Sequence, residues 1–506
     1  MSELAEAIAR SFSAPEPERP AVSPLRALGR RRLTGLQVLA QSVGTTGCAA
    51  SMVLLPATLL HYGSPLTSMA TLVGAVLMTY LIAVCITQFT RRQAAAGGLY
   101  SFVFQGLGTR AALSAGVALL VKYLGSATAT LYSGGQALIL ALDAVGLPVT
   151  GVLGTLAVYL AVAAAAAAVL VRGVRCAALA MLAVEVCSLL FIVVLILLPS
   201  SAGQPPPASG AAHGVLHIAL AALFSLAGFE SATFFGPEAK RPLTTVTRVV
   251  LVTPLICGGL FLFAGWAAWT GRGATMLAAA TSGADSGLPT PLVLALNLGL
   301  ACSWLASATA SSHAASRLVY SMGVERLLPR FFAAVHRRFR TPHLALLFIV
   351  AVVALGGTAL ALGLAPLREH LVAVVRAMVV TAYVLVALAS VWFLRRIREQ
   401  TPTALLAAAA VTLAGVGLLG ALVVVERLEA DYPVSAIIVG LGGAGVLWWS
   451  LLLRRRPWAL RRVGVFDAAE SADVLPGAGV FAPDANGDVV LIGRAAAGGP
   501  SGRRAG

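Results

Sequence analysis

Long apolar runs separated by short polar loops make up most of the chain. Twelve runs occur, and each is long enough for a helix to cross the hydrocarbon core of a bilayer, which takes about 20 residues. They lie near residues 36–60, 66–90, 111–142, 149–171, 177–198, 214–236, 246–270, 291–321, 343–364, 371–394, 403–425 and 433–453. This pattern predicts an all-α integral membrane protein with twelve transmembrane helices, numbered here as spans 1 to 12.

The composition agrees with a membrane protein. Of the 506 residues, 58% are hydrophobic and 11% are charged, whereas a soluble domain carries about 25% charged residues. All six cysteines lie in or beside apolar runs and lack the spacing of metal ligands, so we expect neither a disulfide framework nor a metal site.

The net charge of +16 raises the question of a nucleic-acid partner, but its distribution indicates membrane topology instead. Sixteen basic residues lie around the loops that follow spans 2, 4, 6, 8 and 10, against three around the alternate loops. Basic loops stay in the cytoplasm, so both termini are predicted to be cytoplasmic and the protein to lie in the cytoplasmic membrane. The lipid bilayer, not nucleic acid, is the expected partner.

The remaining segments are polar. Residues 1–32 are rich in Pro, Ser and Glu or carry clustered arginines, and we predict a disordered cytoplasmic tail with no cleavable signal peptide. Residues 33–456 form the predicted transporter domain. Residues 457–506 form a C-terminal cytoplasmic tail that is mostly disordered, with one short strand over Val489–Ile492.

Two spans contain helix-weakening residues near their middle. Span 1 contains the run Ser42-Val43-Gly44-Thr45-Thr46-Gly47, and span 6 contains Ala227-Gly228-Phe229-Glu230-Ser231. A helix broken inside the membrane exposes backbone groups, which is tolerated only where they face protein, ligand or a wet cavity. Matching interruptions in two halves of a chain indicate a transporter with inverted repeats, here spans 1–5 and 6–10. The alternative is that these small residues only allow close helix packing.

Four stretches resemble the amino acid–polyamine–organocation transporter superfamily. They are LAQSVG at Leu39–Gly44, AAGGLYSFVFQGLG at Ala95–Gly108, FSLAGFESATFFGPEAKRP at Phe224–Pro242, and SRLVYSMGVERLLPRFFAAVHRRFRTPH at Ser316–His343. The resemblance implies a core of ten spans in a 5+5 inverted repeat, the LeuT-like fold, with discontinuous helices 1 and 6 and two further helices, 11 and 12. It also implies secondary active transport of an amino acid or a related amine.

The resemblance also implies which residues bind the substrate. In the family, backbone N–H groups in the unwound part of helix 1 bind the substrate carboxylate, carbonyl groups in the unwound part of helix 6 bind its amine, and an aromatic residue closes over it. The corresponding residues are Ser42, Val43, Gly44, Thr45, Thr46, Gly47, Ala227, Gly228, Phe229 and Glu230. This chain departs from the family in one respect: its glycines in helix 1 are Gly44 and Gly47, more widely spaced than the usual Gly-x-Gly, which leaves the substrate class open.

Five ionisable side chains lie inside spans, where charge is costly and commonly functional. Glu230 directly follows the interruption in span 6 and is the first candidate for carrying a coupling proton; the alternative is a fixed structural role. Lys122 and Glu185 lie at similar depth, so we predict that they form an ion pair, more a structural pair than a proton relay. The other two are His313, near the cytoplasmic end of span 8, and Arg376, nearer the outside in span 10.

These observations favour a proton-coupled or exchanging carrier, with no cofactor. The presence of Glu230 favours the proton as the coupling ion, and sodium is the alternative. An enzyme is disfavoured because no HExxH, clustered histidines or GxSxG motif occurs. A non-transporting sensor or partner subunit of the same fold remains a second possibility, since function depends on the site and not on the fold. Oligomeric state, transport direction and substrate identity are open.

Overall fold

The computed structural model describes residues 28–29, 32–197, 213–272, 274–286, 288–428, 432–464, 480–483 and 489–492. Within them, twelve helical segments are long and apolar enough to cross a membrane. They are Gly35–Tyr62, Pro65–Thr90, Leu99–Ala144, Gly151–Val171, Ala177–Leu197, Gly214–Glu238, Pro242–Trp269, Thr290–Val324, His343–Leu364, Leu367–Ile397, Pro402–Arg427 and Val434–Arg455. The predicted number and order of the spans are confirmed; the inverted-repeat relation stays a prediction.

Several spans are not single helices. Span 1 consists of two helices, Gly35–Thr46 and Cys48–Tyr62, and span 3 of Leu99–Leu107 and Thr109–Ala144. Span 6 changes from an α-helix, Gly214–Leu226, to a 3₁₀-helix, Phe229–Glu238. Spans 5, 11 and 12 extend slightly beyond their apolar cores, as Val174–Leu197, Pro402–Leu428 and Tyr432–Arg455.

The remaining elements are short. The helix of span 9 ends at Ala359 and is followed by a π-helical turn at Leu360–Leu364. Ala274–Ser282 and Pro457–Leu460 are α-helical, and Gly283–Ser286 and Arg330–Ala333 are 3₁₀ turns. The strand predicted at Val489–Ile492 is confirmed, and it pairs antiparallel with Val480–Pro483.

Span 3 lies at the centre of the bundle because its glycines allow close packing. A Cβ at Gly134 would lie 3.2 Å from Trp304 of span 8, and one at Gly125 would overlap Val375 of span 10. Small residues at such contacts let membrane helices approach closely. The packing places Lys122, one turn before Gly125, among spans 6, 8 and 10.

The arginine-rich loops between spans lie at one end of the bundle, called here the arginine-rich end. The residues just before span 1 dock there: Leu28 is buried beside Ala96 and Tyr320. Residue Gly464, after span 12, donates its N–H to Glu325 Oε1 over 2.8 Å. The disorder predicted for residues 1–32 and 457–506 concerns residues that are mainly outside the described part of the chain.

Candidate functional site

The interruptions of spans 1 and 6 touch each other. Gly47 adopts a left-handed conformation (φ 57°) between the two helices of span 1, and Gly228 has φ 137° after the α-helix of span 6. A Cβ at Gly228 would lie 3.0 Å from Thr45 C and from Thr46 N. Position 228 therefore requires glycine for two reasons: its backbone angle and this close contact.

The interruption in span 1 is narrower than we predicted. Residues Ser42 to Thr46 are still helical, and the helix ends in a left-handed cap in which the Gly47 N–H bonds to Gly44 O over 3.1 Å. Thr46 Oγ1 donates to Val43 O over 2.6 Å. The expectation that the whole run from Ser42 to Gly47 is unwound is wrong, because one left-handed glycine is enough to end a helix.

Hydroxyl groups join the two interruptions. Ser42 Oγ donates to the Phe229 carbonyl oxygen over 2.6 Å, and Thr45 Oγ1 and Ser231 Oγ lie 2.9 Å apart. Ser307 of span 8 donates to Thr45 O over 2.9 Å. These bonds satisfy carbonyl groups that the breaks release from helical bonding. All ten residues predicted to bind substrate are buried, and they form one contiguous layer across spans 1 and 6.

Glu230 is the most fully bonded carboxylate at this layer. Its Oε1 accepts from Lys122 Nζ over 2.7 Å and from the Tyr123 hydroxyl over 2.8 Å. Its Oε2 accepts from the Gly228 N–H over 2.8 Å and from the Tyr383 hydroxyl over 3.0 Å. Glu230 is fully buried, so an ion pair and four donors offset the loss of water around the charge.

The predicted Lys122–Glu185 pair is wrong. Lys122 pairs with Glu230, because the turn at Gly228 directs that carboxylate towards span 3. Glu185, on span 5, instead faces the second helix of span 1, where its Oε1 accepts from the Ala49 N–H over 2.7 Å. Similar depth in the membrane suggested the pair, but the faces of the helices decide which charges meet.

Tyr383 is a site residue that the sequence analysis missed. It lies in the middle of span 10, and its ring is 5.9 Å from that of Phe229, centroid to centroid. The available signal was a phenol inside an apolar run, since buried tyrosine hydroxyls usually have a hydrogen-bond partner. That signal predicts a polar neighbour without identifying it.

A second buried ion pair closes the arginine-rich end. Arg317 of span 8 lies 3.0 Å from Glu238 Oε1 at the end of span 6. The Glu238 carbonyl accepts from the N–H groups of Arg32 and Leu33, over 2.7 and 2.8 Å, and the Lys240 N–H donates to Leu33 O over 2.8 Å. The chain entering span 1 is thus tied to the chain leaving span 6. The sequence analysis placed neither Arg317 nor Glu238 in a pair.

The remaining predicted charges lie on either side of the contact between the interruptions of spans 1 and 6, which is called the junction from here on. His313 packs edge-on against Phe235, with ring centroids 5.0 Å apart, and the Arg317 guanidinium lies 5.4 Å from the same ring. His313 therefore lies between the junction and the Arg317–Glu238 pair. Arg376 lies towards the opposite end, 5.9 Å from the Phe224 ring.

The arrangement is suited to binding and release. Across the residues that the structure describes, no group of three or more His, Cys, Asp or Glu side chains could hold a metal ion. The site consists of two interrupted helices in contact and the hydrogen-bonded Glu230 beside them. At the arginine-rich end, the Arg317–Glu238 pair and the backbone bonds to Glu238 hold spans 1, 6 and 8 together.

Comparison with known proteins supports a transport role. An uncharacterized transporter of Mycobacterium tuberculosis and one of Mycobacterium bovis are each 30% identical over 145 residues, which is 28% of this chain and 33% of theirs. An uncharacterized transporter of Rhizobium meliloti is 34% identical over 110 residues, 22% of either chain. The chain thus matches about a third or less of the length of these relatives.

A family model covers far more of the chain. The model described as "Amino acid permease" matches residues 33–442, which includes both interruptions, the Glu230 network and the Arg317–Glu238 pair. The protein is therefore a multi-pass membrane protein with twelve candidate spans, and it belongs to the amino acid permease family.

Proposed function

We propose that the protein is a secondary active transporter that moves an amino acid or a related amine across the cytoplasmic membrane by alternating access. The observation that carries this proposal is the contact between the two interruptions, where Gly228 packs on Thr45 and Thr46. In transporters built on broken helices, substrate binds where half-helix ends meet near the middle of the membrane.

The hydrogen bonds at the junction suggest which parts move. Glu230 connects span 6 to spans 3 and 10 through Lys122, Tyr123 and Tyr383. Substrate that enters at Phe229 competes with these bonds, and their rearrangement changes the angle between the two parts of span 6. Differential binding of substrate to the two arrangements then shifts the population between them.

Opening towards the arginine-rich end requires the closure there to break. The Arg317–Glu238 pair and the bonds from Arg32 and Leu33 to Glu238 O would separate together. We assign this end to the cytoplasm, with both termini inside, because basic loops follow spans 2, 4, 6, 8 and 10.

We propose the proton as the coupling ion, with Glu230 as its carrier. Protonation of this carboxylate removes its attraction for Lys122 and loosens spans 3 and 10 from span 6. Sodium is the competing ion, and the two give different results in the same assay.

The test is uptake into proteoliposomes that contain the purified full chain. Radiolabelled amino acids and amines are supplied under an inward pH gradient, an inward sodium gradient, or neither. We expect uptake driven by the pH gradient, abolished by Glu230→Gln and retained by Gly259→Ala, whose added Cβ meets no described atom within 4 Å. Uptake driven by the sodium gradient and not by the pH gradient would show that sodium, not the proton, is the coupling ion.

A non-transporting relative of the same fold is the competing function. It predicts ligand binding without uptake under any gradient. Binding would be read as a rise in melting temperature, since a ligand of the folded state stabilises it by mass action. Uptake of any compound above the level of empty liposomes would exclude this alternative.

A further inference from the structure

The start of the second helix of span 1 already has acceptors for its backbone N–H groups. The first N–H groups of a helix lack partners within the helix and attract anions. Here the Ala49 N–H donates to Glu185 Oε1 over 2.7 Å, and the Ala50 N–H donates to Ser303 Oγ over 3.2 Å. The Cys48 N–H and the Ser303 hydroxyl also face the Glu185 carboxylate. From Ser51 onward the N–H groups bond inside the helix, beginning with Ser51 to Gly47 O over 3.0 Å.

The capping group at this position is itself an acidic side chain. Glu185 is 1% exposed, and its second oxygen, Oε2, has no hydrogen-bond partner among the described residues. Within the same part of the chain, no Lys, Arg or His nitrogen lies within 4.0 Å of it; Lys122 and Arg317 pair with Glu230 and Glu238 instead. A ligand carboxylate placed at this helix start would meet a like charge and N–H groups that already have acceptors, whereas an ammonium group would meet an unpaired carboxylate oxygen.

The other cations near the junction do not supply an alternative site for a carboxylate. Lys122 is bound to Glu230, and Arg317 is bound to Glu238. Arg376 precedes Tyr383 by seven residues on the helix of span 10, which places it about 10 Å away along the axis. The amine and the carboxylate of an α-amino acid are joined through one carbon atom, so these two groups lie far closer together than that axial separation.

We propose that the substrate recognised at the junction of spans 1 and 6 is a cationic amine without a free carboxylate, such as a monoamine or a polyamine. Glu185 takes the place that a substrate carboxylate would otherwise occupy, and its free oxygen favours the ammonium group. This inference rests on the proposed transport function, and it selects the amine over the amino acid as the substrate class.

The test compares amino acids with their own decarboxylation products. Purified full-length protein is titrated with four pairs: ornithine and putrescine, lysine and cadaverine, histidine and histamine, tyrosine and tyramine. Binding is read from the rise in melting temperature, and transport from competition with, or direct uptake of, each radiolabelled compound in proteoliposomes. In at least one pair we expect the amine to act at a concentration about tenfold or more below that of the amino acid, because two like charges a few ångströms apart repel each other inside a protein.

The outcomes separate this inference from the proposed function. If, in every pair that binds, the amino acid is bound and transported as well as its amine, the inference is overturned and the transporter stands. If no compound of any pair binds or is taken up, both fall. A preference for the amine supports both.

Two variants of Glu185 identify the cause of such a preference. Glu185→Ala vacates the helix start and removes the charge, so we expect the ratio of amino-acid to amine affinity to rise about tenfold or more. Glu185→Gln keeps an oxygen for the Ala49 N–H while removing the charge, and it should give a smaller rise. An unchanged ratio in Glu185→Ala protein that still binds amine would overturn the role given to this carboxylate.

Discussion

Glu230 and Glu185 are both buried carboxylates beside a helix interruption, yet their surroundings differ. Glu230 accepts from Lys122, Tyr123, Tyr383 and the Gly228 N–H. Glu185 accepts from the Ala49 N–H, and its Oε2 has no hydrogen-bond partner in the part of the chain that the structure describes. Burial alone would rank the two equally, at 0% and 1% exposure; the number of donors and the presence of a cation distinguish them.

The difference bears on what each carboxylate can do. A charge that is already paired and fully hydrogen-bonded holds its neighbours in one arrangement, and moving it breaks several bonds together. A buried charge without a cation is costly to keep, and a cationic ligand at Glu185 would lower that cost. In the proposed transport cycle, movement of span 6 has to break the bonds around Glu230. Glu185 instead has a free oxygen among the described residues, which is where the proposed ammonium group would bind.

The largest effect is expected when the cation is removed from Glu230. Lys122→Met leaves a buried carboxylate without its counter-charge, and loss of one partner of a buried pair costs about 3–5 kcal/mol. Unfolding in mixed detergent micelles measures the change. The double variant Lys122→Met/Glu230→Gln should recover much of the loss, because neither charge then remains; equal destabilisation of the single and double variants would show that the pair contributes little.

The next effect concerns the phenol on the other oxygen of Glu230. Tyr383→Phe removes a hydrogen bond to a charged acceptor, which costs about 1.5–3 kcal/mol, and it should also impair uptake. Tyr159→Phe is the matched control. Its hydroxyl donates to Tyr132 O over 2.8 Å and accepts from Gln136 Nε2 over 3.2 Å. Both partners are neutral, so the expected cost is about 0.5–1.5 kcal/mol for each bond. The contrast is in transport: uptake should fall in Tyr383→Phe and not in Tyr159→Phe, and an equal loss of uptake in both would contradict the role of Tyr383.

The contact between the two interruptions gives the third prediction. Gly228→Ala places a Cβ 3.0 Å from Thr45 C and Thr46 N at a φ of 137°, and strain of this kind costs about 1–3 kcal/mol. Because the change separates spans 1 and 6 where substrate is proposed to bind, uptake should fall by more than the loss of folded protein. Gly259→Ala, in open space, should leave both quantities unchanged.

The sequence was sufficient for the parts of the fold that depend on local pattern. Apolar length predicted the twelve spans, the alternation of basic loops supported their number, and glycine positions located both interruptions. Gly228 could be identified because a carboxylate inside an apolar run is rare and commonly functional, and this glycine lies two residues before one.

The pairings could not be predicted, because they depend on which face each helix turns to its neighbours. Lys122 and Glu230 are 108 residues apart, and Arg317 and Glu238 are 79 apart. Depth in the membrane made Glu185 look equivalent to Glu230 as a partner for Lys122. The direction of the Glu230 carboxylate is set by the turn at Gly228, a backbone angle that the sequence permits without specifying.

The smallest effect on stability is expected at Glu185, the carboxylate that differs from Glu230 in having no cation beside it. Glu185→Ala removes the acceptor from the Ala49 N–H, and loss of a helix cap costs about 0.5–2 kcal/mol. That cost is partly offset, since the variant no longer buries a carboxylate without a cation. Glu185→Gln keeps the oxygen and removes the charge, so its free energy of unfolding should equal or exceed that of the unmodified protein.

Unfolding of both variants in mixed micelles, with and without a saturating amine, tests whether Glu185 also takes part in binding. The amine should stabilise the unmodified protein more than either variant, because only there does it neutralise a buried charge; equal stabilisation of all three would mean that Glu185 holds the helix start of span 1 and takes no part in binding.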